Sequence, residues 1–427
     1  MAAVRLSPTD ERMLSGEQGE ASRLSMRIIV AMAEATGADE LIDVTSAHVD
    51  GCLYHGKASL DFADRMASAG ARVSIPTTLN VSSLDLLHPG RYRGDPEVAG
   101  QARRLMDRYL QMGCRPTWTC APYQLPDRPA FGEHVAWAES NAIVFVNSVL
   151  GARTDRYGDF IDICAAVTGR VPRAGLHLPE NRRGQVLFRL EGISAGLLAE
   201  DVFYPVLGHL VGVEAGVLVP VLKGLPASAT EDQLKALGAA AASSGGVALF
   251  HAVGVTPEAP TVQDAFQGAD PIRVVEVTAE KLTAARDSLS TSPGPELSAV
   301  SLGTPHFSLS EFAKLVSLLA DGPFHPEVDV YVSTGRDILA EVAGRGWREV
   351  LEGAGVRLVV DTCTYITPIL ESRHRVVMTN SAKWAYYAPG NVGVKVVFGS
   401  TEECIRSAYR GTVWRDPDLW AGMVSSP

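Results

Sequence analysis

Polar side chains able to bind ligands or move protons follow five short apolar segments of this sequence, at points where strands are expected to end. These residues are Cys120, Asn147, Ser148, Arg153, Thr154, His306, Cys363, Ser381 and Lys383. Thiolates and imidazoles bind metal ions, whereas arginine and lysine bind carboxylates or assist proton transfer. Ligands of open α/β sheets bind beyond the carboxyl ends of the strands. One such strand end is common, but five together indicate a single polar site.

The six cysteines differ in their surroundings, which separates candidate metal ligands from core residues. Cys120 and Cys363 lie just past apolar segments, and Cys52 lies in a polar loop, so each is a candidate ligand. A small buried cysteine is the structural alternative for all three, and we expect it for the other three cysteines. The chain contains no CxxC pair, so a metal site would have to be assembled from distant parts of the sequence.

The other polar residues also have structural explanations, which the sequence leaves open. His306 could be a turn histidine bonded to the backbone, and Arg153 could form a surface ion pair. Ser381 could be the N-cap of the helix that contains Lys383. A lysine in the first turn of a helix is disfavoured by the helix dipole, which favours a functional role for Lys383.

Several functional classes lose support from motifs and composition. The chain has no GxxxxGK[ST] loop, no GxGxxG that opens a helix after a strand, no GxSxG elbow and no HExxH helix. Its formal net charge is −11 and it has no dense basic run, which argues against a nucleic-acid partner. The start lacks the pattern of a signal peptide, and Ile28–Ala33 is too short to span a bilayer. We therefore expect a cytoplasmic protein with no membrane partner.

Short apolar runs alternate with helical stretches along the 427 residues, which indicates parallel α/β sheets. The predicted strands are Leu41–Thr45, Arg72–Ile75, Thr117–Thr119, Ile143–Val146, Val186–Leu190, Val217–Leu222, Val247–Phe250, Arg273–Val277, Ala299–Leu302, Val328–Val332, Val356–Val360, Val376–Met378 and Val394–Phe398. We expect a first α/β lobe at residues 1–192 with most of the motif loops, a second at 193–320, and a C-terminal part at 321–427 that returns to the site.

Five strings of this sequence, in their order and spacing, resemble the large component of aconitase X proteins. They are TCAPY, SNAIVFVNSVLGART, SLGTPHFS, DTC and TNSAKWAYYAPG, and the resemblance covers essentially the whole chain. It implies a dehydratase of the aconitase superfamily, with parallel or mixed sheets flanked by helices in two lobes and an active site at the strand ends. It also implies an iron or iron–sulfur centre and a small swivelling domain, expected here as a separate subunit.

The resemblance assigns roles to individual residues. Cys120 and Cys363 match the positions expected to hold the metal, whereas Thr304 stands where the family has a third cysteine. With Cys52 as the substitute ligand, a 2Fe-2S cluster or a mononuclear iron is favoured over a 4Fe-4S cluster. The expected catalytic residues are His306, Ser381 and Lys383, and the expected substrate-binding residues are His55, Asn147, Ser148, Arg153 and Thr154. The general base could also come from the small subunit.

The expected reaction is dehydration of cis-3-hydroxy-L-proline to Δ1-pyrroline-2-carboxylate, because the string AHVDGCLYHG resembles the bacterial branch of the family. Mevalonate 5-phosphate, or another hydroxy acid, is the alternative substrate, but no clear basic or glycine-rich phosphate cradle is evident. Two rivals come from other classes: a zinc-dependent hydrolase that uses Cys120, His306 and Cys363, and a non-catalytic scaffold for the small subunit.

Overall fold

A computed structural model describes residues 4–421 and divides the chain into two compact units. The first unit contains the residues up to Leu84 together with Asp95–Arg183. The second unit contains Asp85–Gly94 together with the residues from Gly184 onward. The division predicted at residues 192 and 320, with a returning C-terminal part, stays a prediction.

The first unit combines helices with two small sheets. Its strands are β1 (Leu41–Asp43), β2 (Ala47–Val49), β3 (Thr77–Leu79), β4 (Ala136–Trp137) and β5 (Arg170–Pro172). Its helices are α1 (Pro8–Ser15), α2 (Glu20–Thr36), α3 (Lys57–Ser68), α4 (Pro96–Gln111), α5 (Ser140–Ser148) and α6 (Ile161–Thr168). Strands β3, β2 and β4 form a parallel sheet in that order, and β1 pairs antiparallel with β5.

The second unit contains two larger sheets, both parallel. Its strands are β6 (Val186–Arg189), β7 (Pro220–Lys223), β8 (His251–Ala252), β9 (Arg273–Glu276), β10 (Ala299–Phe307), β11 (Asp329–Thr334), β12 (Val356–Val360), β13 (Val376–Thr379) and β14 (Lys395–Phe398). The four-stranded sheet has the order β8-β7-β6-β9, and the five-stranded sheet has the order β12-β11-β10-β13-β14.

Helices flank these sheets and follow most of their strands. They are α7 (Ala195–Ala199), α8 (Phe203–Ala215), α9 (Glu231–Ser244), α10 (Val262–Ala265), α11 (Ala279–Ser288), α12 (Leu309–Ser317), α13 (Arg336–Gly344), α14 (Trp347–Ala354), α15 (Ala382–Asn391) and α16 (Thr401–Arg410). Central strand β10 is buried along its whole length, and its apolar side chains form one core with those of β11 and β12. The predicted fold class, parallel sheets flanked by helices, is confirmed.

Some predicted strands are wrong. Ile143–Val146 lies inside helix α5, because a short, continuously buried apolar run fits a core helix as well as a strand. Thr117–Thr119 and Val247–Phe250 are loops, and Arg72–Ile75 precedes strand β3 rather than forming one. Among the described residues, no helix combines the length and hydropathy needed to cross a bilayer.

Candidate active site

The carboxyl edge of the sheet β3-β2-β4 carries three polar residues. Asp50 directly follows β2, Asn80 directly follows β3, and Glu139 follows β4 after one alanine. The Asn80 amide donates a hydrogen bond from Nδ2 to the Asp50 carboxylate. Glu139 caps helix α5 by accepting a hydrogen bond from the backbone N–H of Ala142 at 2.9 Å. The three parallel strands therefore bring acidic and amide groups to one edge.

Cys120, a predicted metal ligand, lies beside the same edge. The backbone N–H of Thr119 donates to the carbonyl oxygen of Leu79 at 3.1 Å, which extends the sheet contact of β3. The Asn141 side chain donates from Nδ2 to the carbonyl oxygen of Cys120 at 2.7 Å and also contacts the Glu139 carboxylate. Trp118 and Glu139 have φ angles of 43° and 73°, conformations that non-glycine residues adopt mainly where function or packing requires them.

The sheet edge is strongly acidic. Burial, followed by the negative charges of Glu139 and Asp159, raises the pKa of Asp50 to about 8. Burial and Asp159 likewise raise the pKa of Asp162 to about 7, although its carboxylate accepts hydrogen bonds from the backbone N–H groups of Asp50 and Gly51 at 2.7 Å and 3.1 Å. Sequence reasoning missed these acids, because strands β2 and β3 are only three residues long and were not predicted.

Cys52 is buried, and its sulfur faces backbone oxygen atoms. The carbonyl oxygens of Val49, Asn80 and Val81 lie 3.5, 3.4 and 3.7 Å from Sγ. Burial raises the pKa of this thiol well above its ordinary value. Among the described residues, no group of three neighbouring potential metal ligands includes Cys52. The metal role predicted for Cys52 has no support from these contacts and stays a prediction.

The residues predicted to bind the substrate have mixed surroundings. Asn147 is buried, and its amide exchanges two hydrogen bonds of 3.0 Å with the backbone of Thr154. It also accepts a hydrogen bond from Arg182 at 3.0 Å, so structural contacts account for Asn147 and Thr154. Ser148 is buried at the end of α5, whereas His55 is exposed in the loop before α3. Their proposed binding roles stay predictions.

Arg153 differs from its neighbours because its Nε atom is buried without a hydrogen-bond partner. Its backbone pairs with that of Glu133 and Val135, so it lies beside the residues that lead into β4. A guanidinium with an unused buried donor suits a carboxylate ligand. This contact pattern distinguishes Arg153 from a residue engaged in a surface ion pair.

In the second unit, His306 and Cys363 lie close together. A ring nitrogen of His306 and the sulfur of Cys363 are within 4.8 Å of each other, and both side chains are buried. The Nε2 atom of His306 is 3.2 Å from the carbonyl oxygen of Thr362. Burial lowers the pKa of His306 to about 4, so its imidazole is neutral at physiological pH and able to bind a metal. A buried thiol beside a neutral imidazole fits a transition-metal ligand pair.

The turn that carries Cys363 is fixed by an ion pair. Arg336 binds the Asp361 carboxylate through Nε and Nη2 at 2.6 and 2.7 Å, and the backbone N–H of Leu86 donates to the same carboxylate at 3.2 Å. Asp361 has a φ angle of 65°, in the left-handed region. These contacts hold a strained turn directly after β12, at the carboxyl edge of the five-stranded sheet.

Ser381, Lys383 and Thr304 line one small cavity of about 30 Å³ in the second unit. Ser381 is the N-cap of α15, because its Oγ accepts a hydrogen bond from the backbone N–H of Trp384 at 3.0 Å and also contacts the carbonyl oxygen of Thr304. Lys383 is buried in the first turn of that helix. The Oγ1 atom of Thr304 is buried without a hydrogen-bond partner. The strands β10 and β13 thus bring Ser381 and Lys383, two of the three predicted catalytic residues, to one place with an unused hydroxyl.

Models of three aconitase X domains match this sequence. The first-domain model matches residues 3–180, the second-domain model matches 184–287, and the third-domain model matches 297–410. The boundary between the first two matches coincides with the start of the continuous part of the second unit. The three matches together cover most of the chain.

Similar proteins are named dehydratases. The chain is 45% identical over 414 residues to cis-3-hydroxy-L-proline dehydratase of Pseudomonas aeruginosa, covering 96% of this chain and 71% of that protein. It is 38% identical to the large subunit of phosphomevalonate dehydratase from Methanothermobacter thermautotrophicus, covering 94% of this chain and 98% of that subunit. The crystal structure of aconitase X from Thermococcus kodakaraensis, a holo-form, superposes with a TM-score of 0.84 at 33% identity, covering 95% of this chain and all of that chain.

Proposed function

Because the chain belongs to the aconitase X family, we propose that it dehydrates cis-3-hydroxy-L-proline to Δ1-pyrroline-2-carboxylate. The observation that carries this proposal is the 45% identity, over 96% of the chain, to a dehydratase of that name. A second hydroxyproline dehydratase, from Hypocrea jecorina, is 42% identical over the same share of the chain. Relatives named phosphomevalonate dehydratase large subunit are 34–38% identical, so identity favours the amino acid substrate.

We propose that iron is held by Cys120 and Cys363, the two thiolates expected from the sequence. His306 is the best-supported third ligand, because its neutral ring lies within 4.8 Å of the Cys363 sulfur. Two thiolates and an imidazole favour a mononuclear iron or a 2Fe-2S cluster over a 4Fe-4S cluster. Iron bound there would supply Lewis acidity, which lowers the barrier to the loss of a hydroxyl group.

The protein side chains have separate tasks in this dehydration. The proton α to the carboxylate must leave as the C3 hydroxyl departs, and pairing the carboxylate with a cation makes that proton more acidic. We assign the carboxylate to Arg153, whose buried Nε has no hydrogen-bond partner. Lys383 and Ser381, buried together at the start of α15, would hold or transfer protons at the reacting atoms. The product enamine would then tautomerise to the cyclic imine.

We also propose that the enzyme works with a small swivelling subunit in the cytoplasm. Support for this partner comes from the relatives named large subunit, since such a name implies a small one. The hydroxyproline dehydratases, by contrast, are longer than the region they share with this chain, which covers 71% and 69% of them. The small component would therefore correspond to the part of those proteins that the match leaves uncovered.

A substrate screen with a metal comparison tests the proposed function. The anaerobically purified protein, assembled with the small subunit, should contain iron and should convert cis-3-hydroxy-L-proline into an imine that o-aminobenzaldehyde traps. Conversion of mevalonate 5-phosphate alone would assign the other substrate of the family. Zinc in place of iron, with hydrolytic activity, would support the hydrolase, and an inactive chain beside an active small subunit would support the scaffold.

A further inference from the structure

Buried side-chain hydrogen bonds join the loop that carries Cys363 to helix α15. The Trp384 indole donates from Nε1 to the Thr364 hydroxyl at 2.9 Å, and that hydroxyl lies 2.6 Å from the hydroxyl of Ser301. All three side chains are fully buried. Trp384 belongs to α15, Thr364 to the loop after β12, and Ser301 to the central strand β10. Three elements of the second unit therefore meet at one hydroxyl group.

The chemistry of these groups gives each hydrogen bond a defined role. An indole N–H can only donate, so the Thr364 oxygen accepts from Trp384 and forms a further hydrogen bond with Ser301. Because the ring of Trp384 is enclosed, loss of its acceptor would leave a buried donor without a partner, which native proteins avoid. Movement of the loop away from α15 would break this bond. The contact therefore fixes the first turn of the helix against the loop.

The residues next to this contact are the ones expected to do chemistry. Thr364 directly follows Cys363, and Trp384 directly follows Lys383. The carbonyl oxygen of Cys363 accepts a hydrogen bond from the backbone N–H of Thr367 at 3.0 Å, so the loop is a tight turn. One hydrogen bond, from Trp384 to Thr364, thus connects the neighbour of a proposed iron ligand with the neighbour of a proposed proton carrier.

We propose that Trp384 and Thr364 are positioning residues, which hold the Cys363 thiolate and the Lys383 side chain in a fixed relation during dehydration. The inference deepens the proposed function and rests on it. Each residue would act through the residue before it, not by contact with iron or substrate. Groups that orient metal ligands typically change metal affinity or activity about 10–100-fold when they are removed. A small displacement of a reacting group also lowers the rate of the chemical step.

Removal of either end of the hydrogen bond tests these roles. Thr364→Val deletes the hydroxyl at nearly constant volume, and Trp384→Phe deletes the N–H but keeps an aromatic ring. In the iron-loaded, assembled enzyme, each variant should release iron to a chelator at least about tenfold faster than the wild type. The visible absorbance of the thiolate-bound iron should shift, and kcat should fall about tenfold while KM changes little.

Matched variants separate positioning from a general loss of stability. Thr256 is also buried and follows β8 of the four-stranded sheet, where its hydroxyl accepts a hydrogen bond from the backbone N–H of Ala252 at 2.9 Å. Thr256→Val should therefore leave iron release, absorbance and kcat unchanged, and an effect equal to that of Thr364→Val would overturn the positioning roles. Thr364→Ser keeps the hydroxyl and should preserve wild-type behaviour. If Thr364→Val fails to fold, Trp384→Phe alone provides the test.

The double variant tests whether Trp384 and Thr364 act through their shared hydrogen bond. Its effects should not multiply, because both substitutions remove the same bond. Fully multiplied effects in the double variant would overturn the positioning roles. Wild-type iron release and absorbance in the folded single variants would overturn them as well.

The outcomes separate the positioning roles from the proposed function. Faster iron release and a shifted absorbance in the variants of an enzyme that does not turn over cis-3-hydroxy-L-proline would support the roles and contradict the proposed substrate. Turnover of cis-3-hydroxy-L-proline by variants that keep wild-type iron release would contradict the positioning roles alone. A wild-type protein that binds no iron would contradict both.

Discussion

At the scale of single residues, two buried cysteines of the second unit differ in what surrounds them. Cys363 follows strand β12 and lies within 4.8 Å of a His306 ring nitrogen, whereas Cys404 packs in the apolar core inside helix α16. Sequence position predicted a metal ligand at Cys363 and a core residue at Cys404; the core position of Cys404 is observed, whereas the ligand role of Cys363 stays a proposal. Alanine variants of these two cysteines can therefore be compared directly.

Cys363→Ala is expected to remove most of the bound iron and to abolish dehydration, because it deletes a proposed thiolate ligand. Cys404→Ala should retain iron and activity and should lower the free energy of unfolding by about 1 kcal/mol, through the loss of a buried sulfur. Iron analysis, visible absorbance and denaturant unfolding of both variants provide the measurement. Full iron content in folded Cys363→Ala would contradict the ligand assignment.

A buried histidine of the first unit predicts how stability depends on pH. His48 is fully buried in strand β2, where its Nδ1 hydrogen-bonds to the Thr78 hydroxyl at 2.8 Å, and burial lowers its pKa from 6.5 to about 3. Below about pH 6.5 His48 binds a proton in the unfolded chain but stays neutral in the folded chain. The stability that depends on neutral His48 is therefore complete above about pH 6.5. It is lost progressively as the pH falls from 6.5 towards 3.

His48→Gln should therefore make acid destabilisation less steep. Removing one such proton uptake lowers the slope of unfolding free energy against pH by up to about 1.4 kcal/mol per pH unit between pH 6 and 4. Urea unfolding at several pH values measures the slope. A variant with the same slope as the wild type would show that His48 titrates alike in both states.

At the scale of elements, the alternation of apolar and helical segments predicted the strands of the second unit well. Three of the predicted strand ends belong to β10, β12 and β13 of one parallel sheet, so their polar residues do follow strands at a common edge. The first unit was harder to predict. Its parallel strands contain only two or three residues, too few to show a periodicity, and so the polar residues that follow them were overlooked.

A buried ion pair joins two helices of the second unit. Lys235 of α9 is 3% exposed, lies 3.0 Å from the Asp232 carboxylate and contacts the Glu311 carboxylate of α12. Burial alone would lower the pKa of Lys235, but the two carboxylates raise it above its ordinary value, so the lysine stays charged. Glu311 also caps helix α12, where its carboxylate accepts a hydrogen bond from the backbone N–H of Ser308 at 2.8 Å. The sequence did not predict its pairing with Lys235, which depends on how the helices pack.

Lys235→Met is expected to destabilise the protein by about 3–5 kcal/mol, because it leaves two enclosed carboxylates without their counter-charge. Lys314→Met is the control: that lysine also pairs with an acid, Asp201, but on the surface, where such a pair contributes less than about 1 kcal/mol. Thermal or urea unfolding compares the two variants. Equal losses of stability would contradict the buried character of the Lys235 pair.

At the scale of the whole molecule, the resemblance carried more functional information than composition did. Composition and charge indicated a folded α/β protein and argued against a nucleic-acid partner, but they are equally compatible with many enzymes. The five strings identified the family that the domain models and the relatives then confirmed. What the strings could not give is the acidic edge of the first unit, since Asp50 and Asn80 lie together only because β2 and β3 are neighbouring parallel strands.

The central claim is that the α-proton at C2 is lost together with the C3 hydroxyl. Conversion of cis-3-hydroxy-L-proline labelled with deuterium at C2 tests this claim most directly. Proton and deuterium NMR of the reaction by the iron-loaded, assembled enzyme should show deuterium released to water as Δ1-pyrroline-2-carboxylate forms, at equal rates. The product has no hydrogen at C2, so product that carries the deuterium at C3, where a shift from C2 would leave it, would contradict the account. Release of deuterium without loss of the hydroxyl group would also contradict it.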